Sequence, residues 1–203
     1  MRLDKCIADH SAYSRKEVKE LLRRGSVRVN GAPEQDPGRQ VDPEGDEIML
    51  AGVILPTALH RTYMLNKPKG CISSTRTGKT KTVVEFLPPE LRKGIFPAGR
   101  LDVDTEGMLL LTNDGDFTYR VTHPKFHMDK TYIATLKGGI TVRGLQQLRR
   151  GLRIEDYTTS PAEVEMLDAE NGYTVIKITI HEGKNRQVRK MFEAVGCHVA
   201  HLQ

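Results

Sequence analysis

The chain has 203 residues, of which 38% are hydrophobic and 28% charged, and its formal net charge is +5 at pH 7. This composition is typical of a globular protein and excludes fibrous and largely disordered chains. No apolar run reaches the roughly 20 residues of a membrane-spanning helix, and residues 1–5 lack the apolar segment of a secretory signal. We therefore expect a cytoplasmic protein that does not enter a membrane. The positive charge favours a polyanionic partner.

The first 24 residues predict two short helices, of which the second is strongly basic. Leu3, Cys6 and Ile7 have the spacing of one helical face, and Ser14 followed by Glu17 is a capping box that starts a second helix. The cations of this second helix include Arg15, Lys16, Lys19 and Arg23. From charge alone they form either a solvated face or a surface for nucleic acid.

A short strand and a tight turn follow the basic helix. Val27 and Val29 alternate with polar residues, and Asn30-Gly31 is a pair typical of tight hairpin turns. A stretch rich in proline, glycine and acids then precedes a strand around residues 47–50. We interpret residues 1–58 as one compact module. It resembles the RNA-binding module first described in small-subunit ribosomal protein S-four, which implies RNA contacts for the basic helix.

From residue 61 onward, short strands alternate with amphipathic segments, a pattern typical of an α+β domain. We predict strands near residues 63–66, 108–111, 130–136 and 173–180, with 108–111 as a buried strand, and helices near 142–148 and 185–195. Residues 198–203 have the pattern of a strand that is beginning. We therefore expect the second domain, residues 61–203, to be truncated at its C-terminus.

Residues 99–107 form the densest polar cluster of the sequence. Arg100, Asp102, Asp104 and Glu106 lie there between an apolar approach and the predicted strand at 108–111. Active sites concentrate in loops that are held by core elements, and a carboxylate in such a loop can act as a nucleophile or a base. The same residues also fit a solvated turn, and their chemistry alone leaves both interpretations open.

Residues 97–115 closely resemble the signature of the ribosomal RNA pseudouridine synthases, in the family of A-type enzymes for small-subunit RNA and B-, E- and F-type enzymes for large-subunit RNA. The resemblance continues through residues 67–70, 130–132 and 182–192. It implies isomerisation of uridine to pseudouridine in ribosomal RNA or ribosomal assembly intermediates, without a cofactor or metal. It also implies a small RNA-binding module joined to a catalytic domain with a central, largely antiparallel mixed sheet and flanking helices. We expect a monomer.

The resemblance also implies roles for individual residues. It puts the catalytic aspartate at Asp102, the active-site tyrosine at Tyr132 and the basic partner of the aspartate at Arg189. Tyr132 is expected to stack against the uracil and to assist the final deprotonation, and the alternative is a strand aromatic that fills the core. Leu202 matches an apolar residue that packs near the target base. A cation beside Asp102 would favour its carboxylate form and fix its direction.

Three further cations are candidates for RNA contacts. The target uridine has to leave its stack before a side chain reaches its glycosidic bond, and Arg100 is expected to fill the vacancy. The alternative for Arg100 is a structural ion pair with Asp104 or Glu106. Lys67 and Lys69 are expected to contact RNA phosphates, and the alternative is that they are merely exposed loop residues.

Two other functions fit parts of the sequence. A non-catalytic ribosome-assembly factor requires only the RNA-binding module, and a glycosidase would use Asp102 with a neighbouring acid. No HExxH, cysteine-rich or GxxxxGK[ST] pattern indicates a zinc site or nucleotide hydrolysis. Residues 1–5 favour small-subunit RNA as the substrate, although residues 121–124 also resemble large-subunit enzymes.

Overall fold

The computed structural model describes residues 1–57, 60–76, 78–155 and 157–203. Its α-helices are α1 (Leu3–His10), α2 (Arg15–Arg23), α3 (Gly115–Thr122), α4 (Val142–Arg150) and α5 (Gln187–Ala194). Short 3-10 helices span Val83–Phe86, Pro89–Leu91 and Pro124–Phe126. Across the described ranges, none of the helices has the length and apolar character needed to cross a bilayer.

The strands are short in the first third of the chain and longer near its end. They are β1 (Val27–Val29), β2 (Ala32–Pro33), β3 (Ile48–Leu50), β4 (Val53–Leu55), β5 (Thr62–Lys67), β6 (Phe96–Pro97), β7 (Gly107–Thr112), β8 (Lys130–Lys137), β9 (Arg153–Ile154), β10 (Tyr157–Thr158), β11 (Glu163–Glu170), β12 (Tyr173–Ile180) and β13 (His198–Leu202). β9 and β10 pair with each other.

The chain forms two compact units. One contains Met1–Met64, Ser74–Pro97 and Leu110–Gly115, and the other contains Leu65–Ser73, Ala98–Leu109 and Asp116–Gln203. The chain passes from one unit to the other within β5 and again within β7. The end of the N-terminal module that we predicted at residue 58 lies outside the described residues. The division into domains 1–58 and 61–203 stays a prediction.

The predicted helices and turn of the N-terminal module are confirmed. Glu17 donates its backbone N–H to Ser14 Oγ at 3.4 Å, and Ser14 donates its own N–H to the Glu17 carboxylate at 2.7 Å, which closes the capping box of α2. Asn30 and Gly31 have φ values of 52° and 77°, the left-handed pair of a tight hairpin turn. The sheet order is β2-β1-β3-β4. Its core is formed by side chains that include Leu3, Cys6, Ile7, Val18, Leu22, Val27, Ile48 and Leu50.

The second unit is built on an antiparallel sheet with the order β11-β12-β8-β13. On β8, Ala134 and Leu136 are fully buried and Tyr132 packs against the same core, as the predicted alternation requires. Met191 and Phe192 of α5 are buried in this core. The sheet with its helices confirms the α+β class and the largely antiparallel arrangement.

The strand predicted at residues 108–111 is confirmed as part of β7, but the prediction that it is buried is wrong for Met108. Leu109 and Leu111 are buried, whereas Met108 is 69% exposed. β7 is the middle strand of a small sheet with the order β5-β7-β6. Successive side chains of a strand point to opposite faces, so a sheet covered on one face buries only alternate residues.

Candidate active site

The polar loop of residues 99–107 ends at a position that only glycine fills without strain. Gly107 has a φ of 119°, and a Cβ built there would lie 3.3 Å from Cγ of Gln203. This close approach lets Glu106 donate its backbone N–H to the carbonyl of Leu202 at 3.2 Å. The loop is therefore fixed against the last strand, β13.

Five consecutive carbonyl groups of the loop, from residue 101 to residue 105, accept hydrogen bonds. Ser73 Oγ donates to Leu101 O at 2.9 Å, the Gly70 N–H donates to Val103 O at 2.8 Å, and Arg189 Nη2 donates to Asp104 O at 3.0 Å. The carbonyls of residues 102 and 105 accept from a single buried side chain, that of Lys67. Such backbone bonds position the loop before any ligand arrives.

Lys67 does not fit the phosphate contact that we predicted for it. Its side chain is fully buried, and its Nζ donates to Asp102 O at 2.9 Å, to Thr105 O at 2.8 Å and to Pro68 O at 3.2 Å. An ammonium group has three donors, and here all three are used inside the protein. Lys67 therefore holds the loop and is not available to RNA.

The loop forms one wall of a cleft of about 670 Å³ that lies within the second unit. Asp102, Tyr132 and Leu202 all line it, so the structure brings these three predicted site residues together. The register explains part of this arrangement, because Leu202 pairs with Ala134, two positions along β8 from Tyr132. The basic side chains that line the cleft are Arg100, Lys130, Lys184 and Arg186, and the acidic ones are Asp102 and Asp104. The excess of cations favours an anionic ligand.

Tyr132 is partly buried, and its phenol is perturbed by its surroundings. Burial raises the pKa of Tyr132, and the negative charge of Asp102 raises it further. Both effects disfavour the phenolate. Tyr132 is therefore a neutral phenol at neutral pH. It lies close enough to Asp102 for the charge of Asp102 to affect its pKa.

Arg189 lies beside a different carboxylate from the one we expected. In the described part of the chain its ion pair is with Asp104, at 3.4 Å between Nε and Oδ2, and Arg186 adds two hydrogen bonds to Asp104 at 3.2 Å each. Burial raises the pKa of Asp104, but the hydrogen bonds from Arg186 and the charges of Arg189 and Arg186 outweigh this and lower it overall. Arg189 also donates to the carbonyl of Val199 on β13 at 3.2 Å.

Arg100 is exposed at the edge of the cleft. The ion pair with Asp104 or Glu106 that we considered is not formed among the described residues. Asp104 is held by Arg186 and Arg189, and Glu106 lies 2.9 Å from Nε2 of His201. Arg100 is therefore an exposed cation at the cleft without the predicted ion pair among the described residues.

Sequence reasoning missed several side chains beside the cleft. It assigned no role to Arg186 or His201, yet Arg186 pairs with Asp104, and His201 links Glu106 to Lys69. Lys69 Nζ donates to His201 Nδ1 at 2.6 Å, which leaves the hydrogen on Nε2 facing Glu106. Arg186 lies three residues before Arg189, within residues 182–192, which resemble the family. This spacing could have indicated that Arg186 lies near the same site.

The predicted RNA-binding residues of α2 lie in the first unit. Arg15, Lys16, Lys19 and Arg23 are all exposed. Arg15 also bonds the buried Asp4 at 3.0 Å, and Arg23 pairs with Glu20 at 3.0 Å. The basic face of α2 is thus presented to solvent as expected.

Comparison with known proteins identifies the family of the chain. The family model of RNA pseudouridylate synthases matches residues 61–194, and that of the S4 domain matches residues 1–48. The chain is 36% identical to a pseudouridylate synthase of known crystal structure, with a TM-score of 0.66 and coverage of 100% of this chain and 86% of that one.

Two curated relatives match the chain along its whole length. The ribosomal large subunit pseudouridine synthase B of Bacillus subtilis (strain 168) is 41% identical, with 100% of this chain and 83% of the relative covered. The ribosomal small subunit pseudouridine synthase A of Pasteurella multocida (strain Pm70) is 40% identical, with 100% and 86% covered. The chain therefore belongs to the RNA pseudouridylate synthase family and carries an S4 domain at its N-terminus.

Proposed function

We propose that this protein isomerises a specific uridine of ribosomal RNA to pseudouridine, with Asp102 as its catalytic carboxylate. The observation that carries the proposal is the position of Asp102. It lies in a basic cleft with Tyr132 and Leu202, on a loop whose carbonyls at residues 101–105 are all hydrogen-bonded. Such a loop holds a reacting group in place without reorganisation during the reaction.

The reaction rearranges bonds within one nucleotide. The bond between N1 of uracil and C1′ of ribose breaks, the base rotates, C5 bonds to C1′, and the proton on C5 is lost while N1 gains one. Asp102 either attacks the sugar or assists formation of a glycal, and both routes need its ionised form. Because the atoms balance within the nucleotide, the reaction consumes no cofactor.

The cleft suits a nucleotide that has left its stack. Its volume of about 670 Å³ falls in the range of roughly 300–1,000 Å³ that is usual for small-molecule sites. Leu202 supplies an apolar surface and Tyr132 a ring for the uracil. Because its pKa is raised, we assign the Tyr132 phenol to stacking and hydrogen-bond donation rather than to proton abstraction as a phenolate. Arg100 would fill the vacancy in the RNA.

We infer that Arg189 acts as a positioning residue. It donates to the carbonyls of Asp104 and Val199, so it ties the catalytic loop to β13. Together with Arg186 it also keeps Asp104 ionised. A glycosidase pair needs a second carboxyl group that holds a proton. The lowered pKa of Asp104 therefore counts against Asp104 as the proton-donating partner of Asp102 in a hydrolase.

The proposal also names the ribosomal RNA on which the enzyme acts. The two relatives reported above act, by name, on different ribosomal subunits at almost equal identity. We propose small-subunit ribosomal RNA as the substrate because residues 1–5 resemble the small-subunit enzymes. We further propose that the enzyme acts as a monomer in the cytoplasm, on the free RNA or on assembly intermediates.

Tritium release and pseudouridine mapping test the proposal directly. Unmodified transcripts of both ribosomal RNAs, and assembly intermediates that contain them, are labelled with tritium at C5 of uridine and incubated with the protein, with Asp102→Asn and with Asp168→Asn. Asp168 is an exposed carboxylate of β11 outside the cleft, so its variant controls for the same chemical change. We expect release of tritium at one site with the unchanged protein and with Asp168→Asn, and a loss of at least roughly 1,000-fold with Asp102→Asn.

Each outcome separates the alternatives. A new pseudouridine in small-subunit RNA that depends on Asp102 supports the whole proposal, whereas one in large-subunit RNA corrects the substrate. Tight binding to either RNA without tritium release would favour the assembly-factor alternative. Release of free uracil would favour a hydrolase.

A further inference from the structure

Helix α3 and the 3-10 turn that follows it carry an exposed cluster of three rings and a lysine, which we call the aromatic patch. Its members are Tyr119, His123, Phe126 and Lys125. The centroid of the Tyr119 ring lies 4.7 Å from that of His123 and 5.7 Å from that of Phe126. Lys125 Nζ lies 4.8 Å from the centroids of both Tyr119 and Phe126. Tyr119 nevertheless remains 45% exposed and Phe126 40% exposed. The patch therefore offers ring surface and a cation to solvent.

The rings are held on a hydrogen-bonded backbone. The N–H of His123 donates to Tyr119 O at 3.0 Å, and the N–H of Phe126 donates to His123 O at 3.1 Å. The N–H of Lys125 bonds Nδ1 of the His123 ring at 3.3 Å. These bonds fix the turn and leave the exposed parts of the Tyr119 and Phe126 rings unused. Ordering these two rings for a ligand would therefore cost little entropy.

The patch adjoins the catalytic cleft. Thr122 and Pro124, which lie between its members in the sequence, line the same cleft as Asp102. An RNA strand whose central nucleotide entered the cleft would therefore bring its neighbouring nucleotides to the patch. Because the patch and the cleft share this segment, we connect the patch with the reaction.

The chemistry of the patch fits unpaired RNA. Every nucleobase has a face that stacks on an aromatic ring, and such stacking is tolerant of sequence. Lys125 and the neighbouring Arg120 are both exposed and can meet phosphates. Lysine is depleted from the cores of protein interfaces, so the cation over both rings argues against a protein as the occupant.

We propose that the aromatic patch binds the unpaired nucleotides that flank the target uridine, by stacking bases on Tyr119 and Phe126 and by pairing Lys125 with a phosphate. This deepens the proposed function and rests on it, because it assumes an RNA whose target uridine enters the cleft. It also adds a determinant of substrate choice, since a target within a rigid duplex could not reach these rings.

The test measures affinity and turnover in parallel. Fluorescence anisotropy with a short fluorescein-labelled oligouridylate gives affinity, and tritium release from the ribosomal RNA transcripts gives turnover. We expect Tyr119→Leu and Phe126→Leu each to weaken binding of the oligouridylate by roughly 5-fold or more. Tyr119→Phe, which keeps the ring, should bind like the unchanged protein.

Two exposed rings elsewhere provide matched controls. Tyr173 is 47% exposed on β12, and Phe86 is 37% exposed and has Lys81 Nζ 3.9 Å above its ring. Neither lines the cleft. Tyr173→Leu and Phe86→Leu repeat the same chemical changes and should leave both affinity and turnover unchanged.

Lys125→Gln supplies an independent measurement if the ring variants fold poorly. One lost phosphate contact should reduce the slope of log affinity against log salt by about 0.7, the value for single strands. An unchanged slope would overturn the assignment of Lys125. Melting temperatures of the ring variants that fall without a change in RNA affinity would overturn the stacking proposal, because the rings would then serve only local packing.

The outcomes also separate this inference from the proposed function. Ring-dependent binding of the oligouridylate, combined with no turnover by the unchanged protein, would keep the patch as a surface for unpaired RNA and reject the enzyme. Turnover by the unchanged protein that Tyr119→Leu and Phe126→Leu leave intact, with unchanged affinity, would keep the enzyme and reject the patch.

Discussion

At the scale of single residues, the buried ammonium of Lys67 decides how firmly the loop of Asp102 is held. Lys67→Met keeps most of the side-chain volume but removes the donor to the carbonyl of buried Thr105, whereas the carbonyl of Asp102 still accepts from the Thr105 N–H at 3.1 Å. A buried acceptor that loses its partner costs about 1–3 kcal/mol, so we expect the free energy of unfolding to fall by about that amount. Because the loop also loosens, we expect kcat to fall roughly 100-fold with a much smaller change in KM. Urea unfolding and steady-state tritium release measure the two effects.

Lys177→Met is the matched control for Lys67→Met. Lys177 is an exposed lysine of β12 whose Nζ lies 3.2 Å from the Glu165 carboxylate, and such surface pairs contribute at most about 1 kcal/mol. Its variant should keep kcat. A Lys67→Met protein with the kcat of the unchanged protein would show that the loop stays in place without the ammonium group.

The sequence identified the residues of the cleft better than their partners. Asp102, Tyr132 and Leu202 lie in one cleft, because the resemblance covers the segments of Asp102 and Tyr132 and Leu202 matches an apolar residue near the target base. Lys67 stands between asparagine and proline and has the pattern of an exposed lysine, and its burial depends on carbonyls more than 30 residues away. The pairing of Arg189 with Asp104 rather than Asp102 depends on side-chain geometry that spacing does not encode.

At the scale of secondary-structure elements, a buried carboxylate connects α1 to α2. Asp4 is almost fully buried and accepts hydrogen bonds from Arg2 and Arg15. The hydrogen bond from Arg2 lowers the pKa of Asp4, burial raises it and Arg15 lowers it again, to about 2. Because the folded pKa lies below the ordinary value of about 3.9, the carboxylate stabilises the fold above about pH 4, and this stabilisation is lost as the pH falls towards 2.

Asp4→Asn should therefore destabilise the protein at neutral pH by about 1–2 kcal/mol, a figure reduced for the partial exposure of both arginines. The difference from the unchanged protein should shrink between about pH 4 and pH 2. Urea-unfolding midpoints followed by circular dichroism across this range measure it. Asp9→Asn changes an exposed carboxylate of the same helix and should have little effect. A difference for Asp4→Asn that stays constant down to pH 2 would contradict the assignment.

Helices and turns with a local capping or turn signal were the most predictable elements, whereas α3 was not predicted. The capping box at Ser14 and the Asn30-Gly31 turn formed where the sequence indicated. The exposure of Met108 could not be predicted, because four apolar residues in a row fit both a fully buried strand and one covered on a single face. Only the small sheet around β7 decides between these two cases.

At the scale of the whole molecule, we expect affinity for RNA and chemical turnover to be separable. Lys16 and Lys19 are exposed on α2, whereas the cleft belongs to the other compact unit. If α2 contacts RNA phosphates, Lys16→Gln with Lys19→Gln should reduce the slope of log affinity against log salt by about 0.7–0.9 for each charge removed. KM for the ribosomal RNA should rise while kcat stays the same, because the geometry around Asp102 does not change.

The double variant Lys137→Gln with Lys177→Gln removes the same charge from the second unit at exposed positions outside the cleft. A uniform effect of net charge would make the two double variants alike, whereas a specific RNA surface on α2 affects only the first. Equal salt slopes for both would reject the basic helix as the RNA-binding surface. A fall in kcat for the α2 variant would instead mean that the module helps to place the target uridine in the cleft, in addition to supplying affinity.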